Sequence, residues 1–372
     1  MFFLNTGYIW TYCLINNYMK NLSSNNILLI GRRWSTRGLN NDFEHFLKFF
    51  PGSNHITNKE LKNFDKYIYR FLKVRTGNSC YSSLSAALEH KALDTIIKKN
   101  IKLVHYWFGD HDYYYGYWFR KIFGIKLVVN LFFSIEELER RMPNKIHLQA
   151  ADLITCSGYA QLEYLKQFID SEMLVHLPLG VDTKFFSFSN SLRQRDKNLI
   201  VCIGNNRRDY ITLKKIYLQL KLSNPNIKLK LAGSKPGKVY FSDRPEVEFL
   251  PFLTDAEFRD LYHKASVLIL PLLEGGSSQT VNEALSCGLP IVTNDFPNLS
   301  DYTKTDSVIK HLPGDYKSMA NSCLTILNNR QKFFKKSLEG RKFIEKYEFQ
   351  NIKTKLVGIY NNNLGLRIEN QN

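Results

Sequence analysis

Between Ile27 and Tyr360 the chain alternates short apolar runs with longer amphipathic stretches. The runs Ile27 to Ile30, Ile101 to His105, Ile125 to Phe133, Ala151 to Ser157, Leu199 to Ile203, Ile227 to Ala232, Val247 to Leu250, Ser266 to Leu273 and Ile291 to Thr293 are rich in Val, Ile and Leu. Runs of this length and content suit strands buried on both faces. Between them, Ser82 to Lys99 carries Leu84, Ala87, Leu88, Leu93, Ile96 and Ile97 as much of an apolar stripe, which predicts a helix. Thr254 and Glu257 form a capping box ahead of Phe258, Leu261, Tyr262 and Ala265, spaced at helical intervals. Further helices are predicted from about Asn41, around 160–168, over 211–222, and over 315–327, 332–347 and 349–360. Strand and helix in alternation predict an α/β protein with parallel sheets.

The pattern breaks once. His176-Leu177-Pro178-Leu179-Gly180-Val181-Asp182 carries linker punctuation, and the polar stretch 187–198 follows it. At 372 residues the chain is long enough for two cores. The expected organisation is a poorly ordered extension, 1–18; a first domain, 19–180; a second, 181–347; and a terminal helix and tail, 348–372, crossing back toward the first. Residues 1–18 are aromatic but interrupted by asparagine and threonine, and they lack the basic start of a signal peptide.

The candidate chemistry centres on 271–295. An apolar strand there empties into Gly275-Gly276-Ser277-Ser278-Gln279-Thr280, a short helix follows, and Gly288 stands where a helix end favours φ > 0. A loop of small residues at a helix N-terminus offers N–H donors and partial positive charge to a phosphate. Glu283 either grips sugar hydroxyls one turn into the helix or merely closes a capping box with Thr280. Arg207 and Arg208 fall between the end of the Leu199 to Ile203 run and the next helix, where they would face an anion. Glycines after two of the strands, Gly38 and Gly204, are candidate close-approach positions, with a plain turn as the other reading of Gly38.

Glu283-Ala284-Leu285-Ser286-Cys287-Gly288-Leu289-Pro290 resembles the donor motif of the family 4 glycosyltransferases of the GT-B fold, which pairs a glutamate before the loop with a second in EA-x-x-x-G-x-P. Arg208-Asp209-Tyr210 and Pro178 to Asp182 resemble two further segments of that family. The resemblance spans about 26–360 and is strongest from Leu199 onward. It implies two Rossmann-like domains facing a central cleft. It also implies a metal-independent, retaining hexosyltransferase that moves a sugar from a nucleoside diphosphate sugar to a hydroxyl of a cell-envelope polysaccharide or glycolipid precursor. No cofactor is expected, the nucleotide sugar being a substrate.

On this reading Arg207, Arg208, Gly38, Gly204, Gly275, Gly276, Ser277, Ser278, Gln279, Thr280 and Glu283 hold the donor, and Arg208 stabilises the departing diphosphate. Glu274 contacts the donor sugar, although it precedes Glu283 by nine positions, one more than the family spacing. Many members carry a histidine near the end of the strand corresponding to Ile125 to Phe133. Here the residues are Asn130 to Ser134, none of them histidine, and His105, Asp110 and His111 are the expected substitutes. That departure, with the displaced Glu274, keeps open an alternative: a nucleotide-binding subunit that acts with a partner.

Composition adds three points. A net charge of +17 implies affinity for polyanions, and an anionic membrane surface fits better than nucleic acid because no reader motif accompanies the charge. The resemblance implies a glycan or lipid-linked acceptor partner, and the expected location is cytoplasmic, peripheral on the inner face of the membrane. Six scattered cysteines, none in a C-x-x-C pair, suit a reducing compartment and give no zinc site. The stretch Tyr106 to Phe119 is dense in aromatics and reads either as a stacking platform for sugar rings or as an aromatic core under a loop. Metal ligation by His105, Asp110, His111 and Asp112 is not expected, since neighbours in one loop define no coordination geometry.

Overall fold

The computed structural model describes residues 20–34, 38, 40–59, 61, 66–189, 191–233, 235–251 and 253–368. The expected extension 1–18 and the last four residues of the tail lie outside them. Fourteen strands are named along the chain: β1 (Lys20–Leu22), β2 (Ile27–Ile30), β3 (Asn54–Ile56), β4 (Leu103–Tyr106), β5 (Lys126–Leu131), β6 (Leu153–Cys156), β7 (Leu174–His176), β8 (Leu199–Ile203), β9 (Lys228–Ala232), β10 (Glu248–Leu250), β11 (Val267–Leu270), β12 (Ile291–Asn294), β13 (Val308–His311) and β14 (Leu366–Ile368). Two sheets of six strands result, ordered β3-β2-β4-β5-β6-β7 and β10-β9-β8-β11-β12-β13. All pairings within them are parallel.

Both sheets have the same winding. The chain lays down a strand, adds neighbours on one side, then crosses to the other, so strand order reverses between β2 and β4 and again between β8 and β11. Loops diverge at such a reversal and leave a crevice at the carboxyl ends. The two-residue period of a strand serves both faces of each sheet. In the first sheet Leu28, Ile30, Val104, Tyr106, Leu127 and Val129 pack into one core. Ile27, Leu29, Leu103 and Val128 pack into the other, which is continuous with the core of the second sheet.

That shared core explains the chain's end. Helix Phe349–Leu364 buries Phe349, Ile352, Leu356, Ile359 and Tyr360, stacking Phe349 on His45 at 4.0 Å and Tyr360 on Phe50 at 5.7 Å. β14 then pairs in parallel with β1, Lys20 opposite Leu366. The terminal helix thus packs on the first sheet's layer. Gly180 is required where this helix crosses the linker, because a Cβ there would stand 2.4 Å from the Phe349 ring.

Several predicted helices begin at caps legible in sequence. Asn41 accepts from the N–H groups of Phe43 and Glu44 ahead of Asp42–Phe49. Ser82 and Ser85 form a capping box for Ser83–Lys98, and Thr254 and Glu257 do so for Asp255–Lys264. Most of the aromatic stretch is core: Tyr106, Trp107, Phe108, Tyr113 and Phe119 are buried while Trp118 is exposed, and Trp107 donates its indole N–H to Asp42. The platform reading is therefore corrected. Chain order explains it, since Tyr106 ends the central strand β4 and the rings that follow divide between the cores on its two faces. Cys80, Cys156, Cys202, Cys287 and Cys323 are unbridged and buried. Among the described residues no helix is long and apolar enough to cross a membrane.

Candidate functional site

The loop after β8 and the loop after β11 are joined to each other. Arg208 and Leu272 form an isolated antiparallel bridge, flanked by Asp209 N–H to Pro271 O and Leu273 N–H to Arg207 O, both 2.9 Å. This clasp sits where the second sheet's strand order reverses. Arg207 is held in the left-handed region at φ 55, an uncommon conformation outside glycine, and Gly204 turns the chain out of β8 at φ 84. A side chain at Gly204 would also meet Arg208 Nη2 at 2.9 Å.

A cavity of about 240 Å³ opens beside the clasp, between the two sheets. Its second-domain wall includes Gly204 to Arg208, Glu274, Gly276 to Thr280 and Glu283, and its first-domain wall includes Gly38, Asn40, Asn41, Phe132, Ser134 and Glu137. The two walls touch in places. Asn40 donates its backbone N–H to Asp255 at 2.8 Å, and a Cβ on Gly38 would collide with that carboxylate. Gly276 lies close enough to Phe132 that a Cβ there would stand 3.4 Å from its carbonyl oxygen.

Arg208 is the electrostatic centre of the cavity. Its Nε and Nη2 donate to Ile203 O at 3.0 and 2.7 Å, and Nη1 donates to Asn206 O at 2.9 Å. No carboxylate among the described residues pairs with it. Burial pulls its pKa below the usual guanidinium value, yet a guanidinium stays charged in proteins. A cation held by carbonyl dipoles alone, facing a cavity, favours an anion there.

The helix Gln279–Ser286 points its N-terminus into the same space. Ser278 is its N-cap and makes no side-chain cap, and no acid sits in the first turn. Glu283 therefore does not close a capping box with Thr280. Its carboxylate instead accepts from Tyr262 Oη at 2.7 Å. Tyr262 is fully buried, so the hydroxyl has nowhere else to turn and fixes the carboxylate's orientation. Gln279 also lines the cavity, and neither Oε1 nor Nε2 of its amide is hydrogen-bonded. Asn282, on the buried side of the helix, donates to Leu179 O of the linker at 3.0 Å.

Glu274 is on the wall but engaged. Arg207 donates to both its oxygens, and Arg140, from first-domain helix Ile135–Arg141, reaches them at 2.9 and 3.3 Å. The structure thus brings together Gly38, Gly204, Arg207, Arg208, Glu274, Gly276, Ser277, Ser278, Gln279, Thr280 and Glu283. Gly275 is not on the wall: it is buried, with Phe296 standing where its Cβ would project.

The three expected histidine substitutes are likewise not brought to the cavity, and that expectation is corrected. His105 is wholly buried, its Nδ1 in a hydrogen bond with Tyr360 Oη; burial alone pulls its pKa down to about 3. Asp110 spends its carboxylate on the N–H groups of Phe132 and Phe133, at 2.7 and 3.2 Å. His111 packs between Trp34 and Phe133. Position at or just after a strand end was the only signal for these residues: His105 lies in β4 and meets the terminal helix, Asp110 turns to the backbone after β5, and His111 is half-buried between Trp34 and Phe133. Sequence reading missed Tyr262, which it assigned to an apolar stripe, and Arg140, one cation in the charged run Glu136 to Arg141.

Comparison with known proteins follows the same division. Residues 197–329 match the family model described as Glycosyl transferases group 1. No curated protein matches the chain in sequence. Among solved structures, a glycosyltransferase from Rickettsia africae ESF-5 superposes with TM-score 0.64 at 14% identity, covering 93% of this chain and 99% of that one. Anabaena Alr3699/HepE in complex with UDP and glucose gives TM-score 0.65 at 16% identity, covering 91% and 99%. Sucrose-phosphate synthase from Thermosynechococcus elongatus gives 0.63 at 15%, covering 83% and 80%. At these identities the likeness is one of fold. The chain has the two-domain GT-B architecture, and its second domain, over residues 197–329, carries the group 1 glycosyltransferase family match.

Proposed function

We propose that the protein is a retaining, metal-independent hexosyltransferase, moving a sugar from a nucleoside diphosphate sugar to a hydroxyl of a cell-envelope polysaccharide or glycolipid precursor on the cytoplasmic face of a membrane. The observation that carries the reading is Arg208: a guanidinium without a carboxylate partner among the described residues, in one cavity with an uncapped helix N-terminus and with Glu283. The group 1 family match over the same domain supports it. The Anabaena neighbour was solved with UDP and glucose, which makes uridine the first base to try.

In this reading the diphosphate lies against Arg208 and the N–H groups of Gly276 to Thr280. As the glycosidic bond breaks, negative charge grows on the leaving phosphate oxygen, and these donors are already oriented toward it. Glu283, held by Tyr262, accepts from the ribose hydroxyls. Gln279 completes its hydrogen bonds on the ligand. Glu274 meets the donor sugar after yielding one of its arginines, and closure of the two walls excludes water that would hydrolyse the donor. Arg140, Arg207 and Arg208 supply the positive charge that a metal ion would otherwise provide.

The test is a thermal-shift panel of UDP, GDP, ADP and CMP against the wild type, Arg208→Ala and Glu283→Ala. Ligand at a hundred times its dissociation constant adds about 2.7 kcal/mol of stability. Stabilisation by one diphosphate, lost in both variants and unaffected by EDTA, is the expected result. A cooperatively melting protein that responds to none of them would sink the proposal.

One observation favours a second reading, a nucleotide-binding subunit without transfer. The Glu274 carboxylate is occupied by two guanidinium groups, and no histidine stands at the end of β5. Nucleotide binding without transfer or hydrolysis of any donor, alone or with acceptor extract, would decide for it.

A further inference from the structure

Away from the cleft, the first domain exposes a group of large apolar side chains on its outer helical layer. Phe71 and Val74 stand on helix Lys66–Thr76, Trp118, Ile122 and Phe123 on helix Tyr117–Phe123, and Ile146 beside them; Phe71, Val74, Ile122 and Ile146 are each more than half exposed. Hydrogen bonds tie these segments together. Tyr115 Oη donates to Leu72 O at 3.0 Å. Asn144 donates to Thr76 O at 3.2 Å and to Tyr114 Oη at 3.1 Å, and Arg120 donates to Ala150 O at 3.3 Å. The segments that carry the exposed chains are therefore linked to one another.

The charge on helices Lys66–Thr76 and Tyr117–Phe123 has a single sign. No Asp or Glu occurs from Lys66 to Leu88 or from Tyr113 to Ile135. Arg120 pairs with Asp152, but no carboxylate among the described residues pairs with Arg70, Lys73, Arg75 or Lys121, all exposed. Two of these cations lie over exposed rings, Arg75 over Phe71 at 4.5 Å and Lys121 over Trp118 at 5.2 Å. Apolar rings with flanking lysine and arginine match the boundary of an anionic bilayer, where rings enter the headgroup region and cations meet phosphates.

We propose that this face, helices Lys66–Thr76 and Tyr117–Phe123 with Ile146, docks the protein on an anionic lipid surface. A second copy of the chain is a poor occupant, because the acid-free helices of two copies would bring like charges together. Nucleic acid would answer the charge but leave Val74, Ile122 and Ile146 uncovered. The proposal is independent of nucleotide binding in the cleft, so either can fail alone.

The experiment is flotation of the full chain with vesicles of phosphatidylcholine alone or with roughly one third phosphatidylglycerol. The variants are Lys73→Gln with Lys121→Gln, and Phe71→Ser with Ile122→Ser. These side chains are exposed, so unchanged melting curves are expected. Binding should require the anionic lipid, weaken with salt, and fall about fivefold for each cation removed. The apolar pair should bind more weakly and lose the quenching of tryptophan fluorescence by brominated lipid that the wild type shows. Equal binding to neutral and anionic vesicles, unchanged binding in both variants, or binding to a duplex oligonucleotide but not to vesicles would each overturn it.

Discussion

Arg140 of the first domain and Glu274 of the second meet across the cleft, Nη1 to Oε1 at 2.9 Å. Arg207 holds the same carboxylate from the other side, so two cations share one anion at the cavity wall. Arg140 is 47% exposed, and pairs as exposed as this contribute at most about 1 kcal/mol. The contact is therefore weak enough for a ligand to displace while still favouring a closed cleft.

Arg140→Ala should open the ligand-free protein without unfolding it. Small-angle scattering should show a larger radius of gyration for the variant than for the wild type, and the two should converge when nucleoside diphosphate is added. Glu274→Gln should keep nucleoside diphosphate binding within a few-fold and lose sugar transfer. Equal loss of binding and transfer would instead make Glu274 a phosphate-loop support.

Arg208→Ala should weaken diphosphate binding by roughly thirtyfold or more, since a charge-assisted hydrogen bond to an anion contributes about 2 kcal/mol. Titration calorimetry with UDP and with uridine separates the effect, because the nucleoside lacks the phosphates that Arg208 is proposed to hold. Arg208→Lys should recover only part of the loss, as an ammonium cannot reproduce the planar fork now shared between Ile203 O and Asn206 O.

Tyr262→Phe removes one oxygen atom that lies behind the site. Without that hydrogen bond to orient the Glu283 carboxylate, the donor KM should rise roughly tenfold with little change in kcat, the signature of lost uniform binding. If Tyr262 only stabilised the fold, denaturant midpoint would fall while KM stayed constant.

Gly204→Ala forces a Cβ onto a residue at φ 84 and against the Arg208 guanidinium. A side chain in the left-handed region costs about 1 to 2 kcal/mol, and displacement of Arg208 should weaken diphosphate binding as well. Gly314, at φ 81 with open space around it, is the control: Gly314→Ala should carry the backbone cost without the binding defect.

Asp110 gives a pH signature. Burial, outweighing the N–H groups of Phe132 and Phe133, pushes its carboxyl up to about 7. A carboxyl raised in the folded state contributes stability that is fully present below the ordinary value near 3.8 and is lost as pH rises through about 7. Glu89, buried beneath Tyr81 and the 114–116 backbone, is raised to about 7 and acts in the same sense. Denaturation of wild type and Asp110→Asn between pH 4 and 8 should therefore show their difference shrinking as pH rises. A constant difference would mean that Asp110 does not titrate in this range.

The sequence by itself determined nine of the fourteen strands, most of the helices and the location of the donor loop, but not β1, β3, β7, β13 and β14, which lie at sheet edges or in the small two-stranded sheet and lack a long apolar run. Those features rest on local physics: Val, Ile and Leu runs as long as a buried strand, caps at Asn41, Ser82 and Thr254, and Gly288 at φ 70 behind a helix. Motif spacing also brought Arg208 and Glu283 forward, and both line one cavity. Tertiary structure decided what those residues face. Glu283 could have closed a capping box until the helix was seen to start at Gln279 and Tyr262 to arrive from another helix. His105 closes a strand run and Asp110 and His111 follow it, as binding residues do, but packing against the terminal helix and the β5 turn buries His105 and Asp110, and His111 packs half-buried against Trp34. Arg140 lies 134 residues from Glu274, and only the folding of two sheets toward each other brings them together. Spacing along a chain reports neighbours within one element, whereas a cleft is made by elements far apart in sequence.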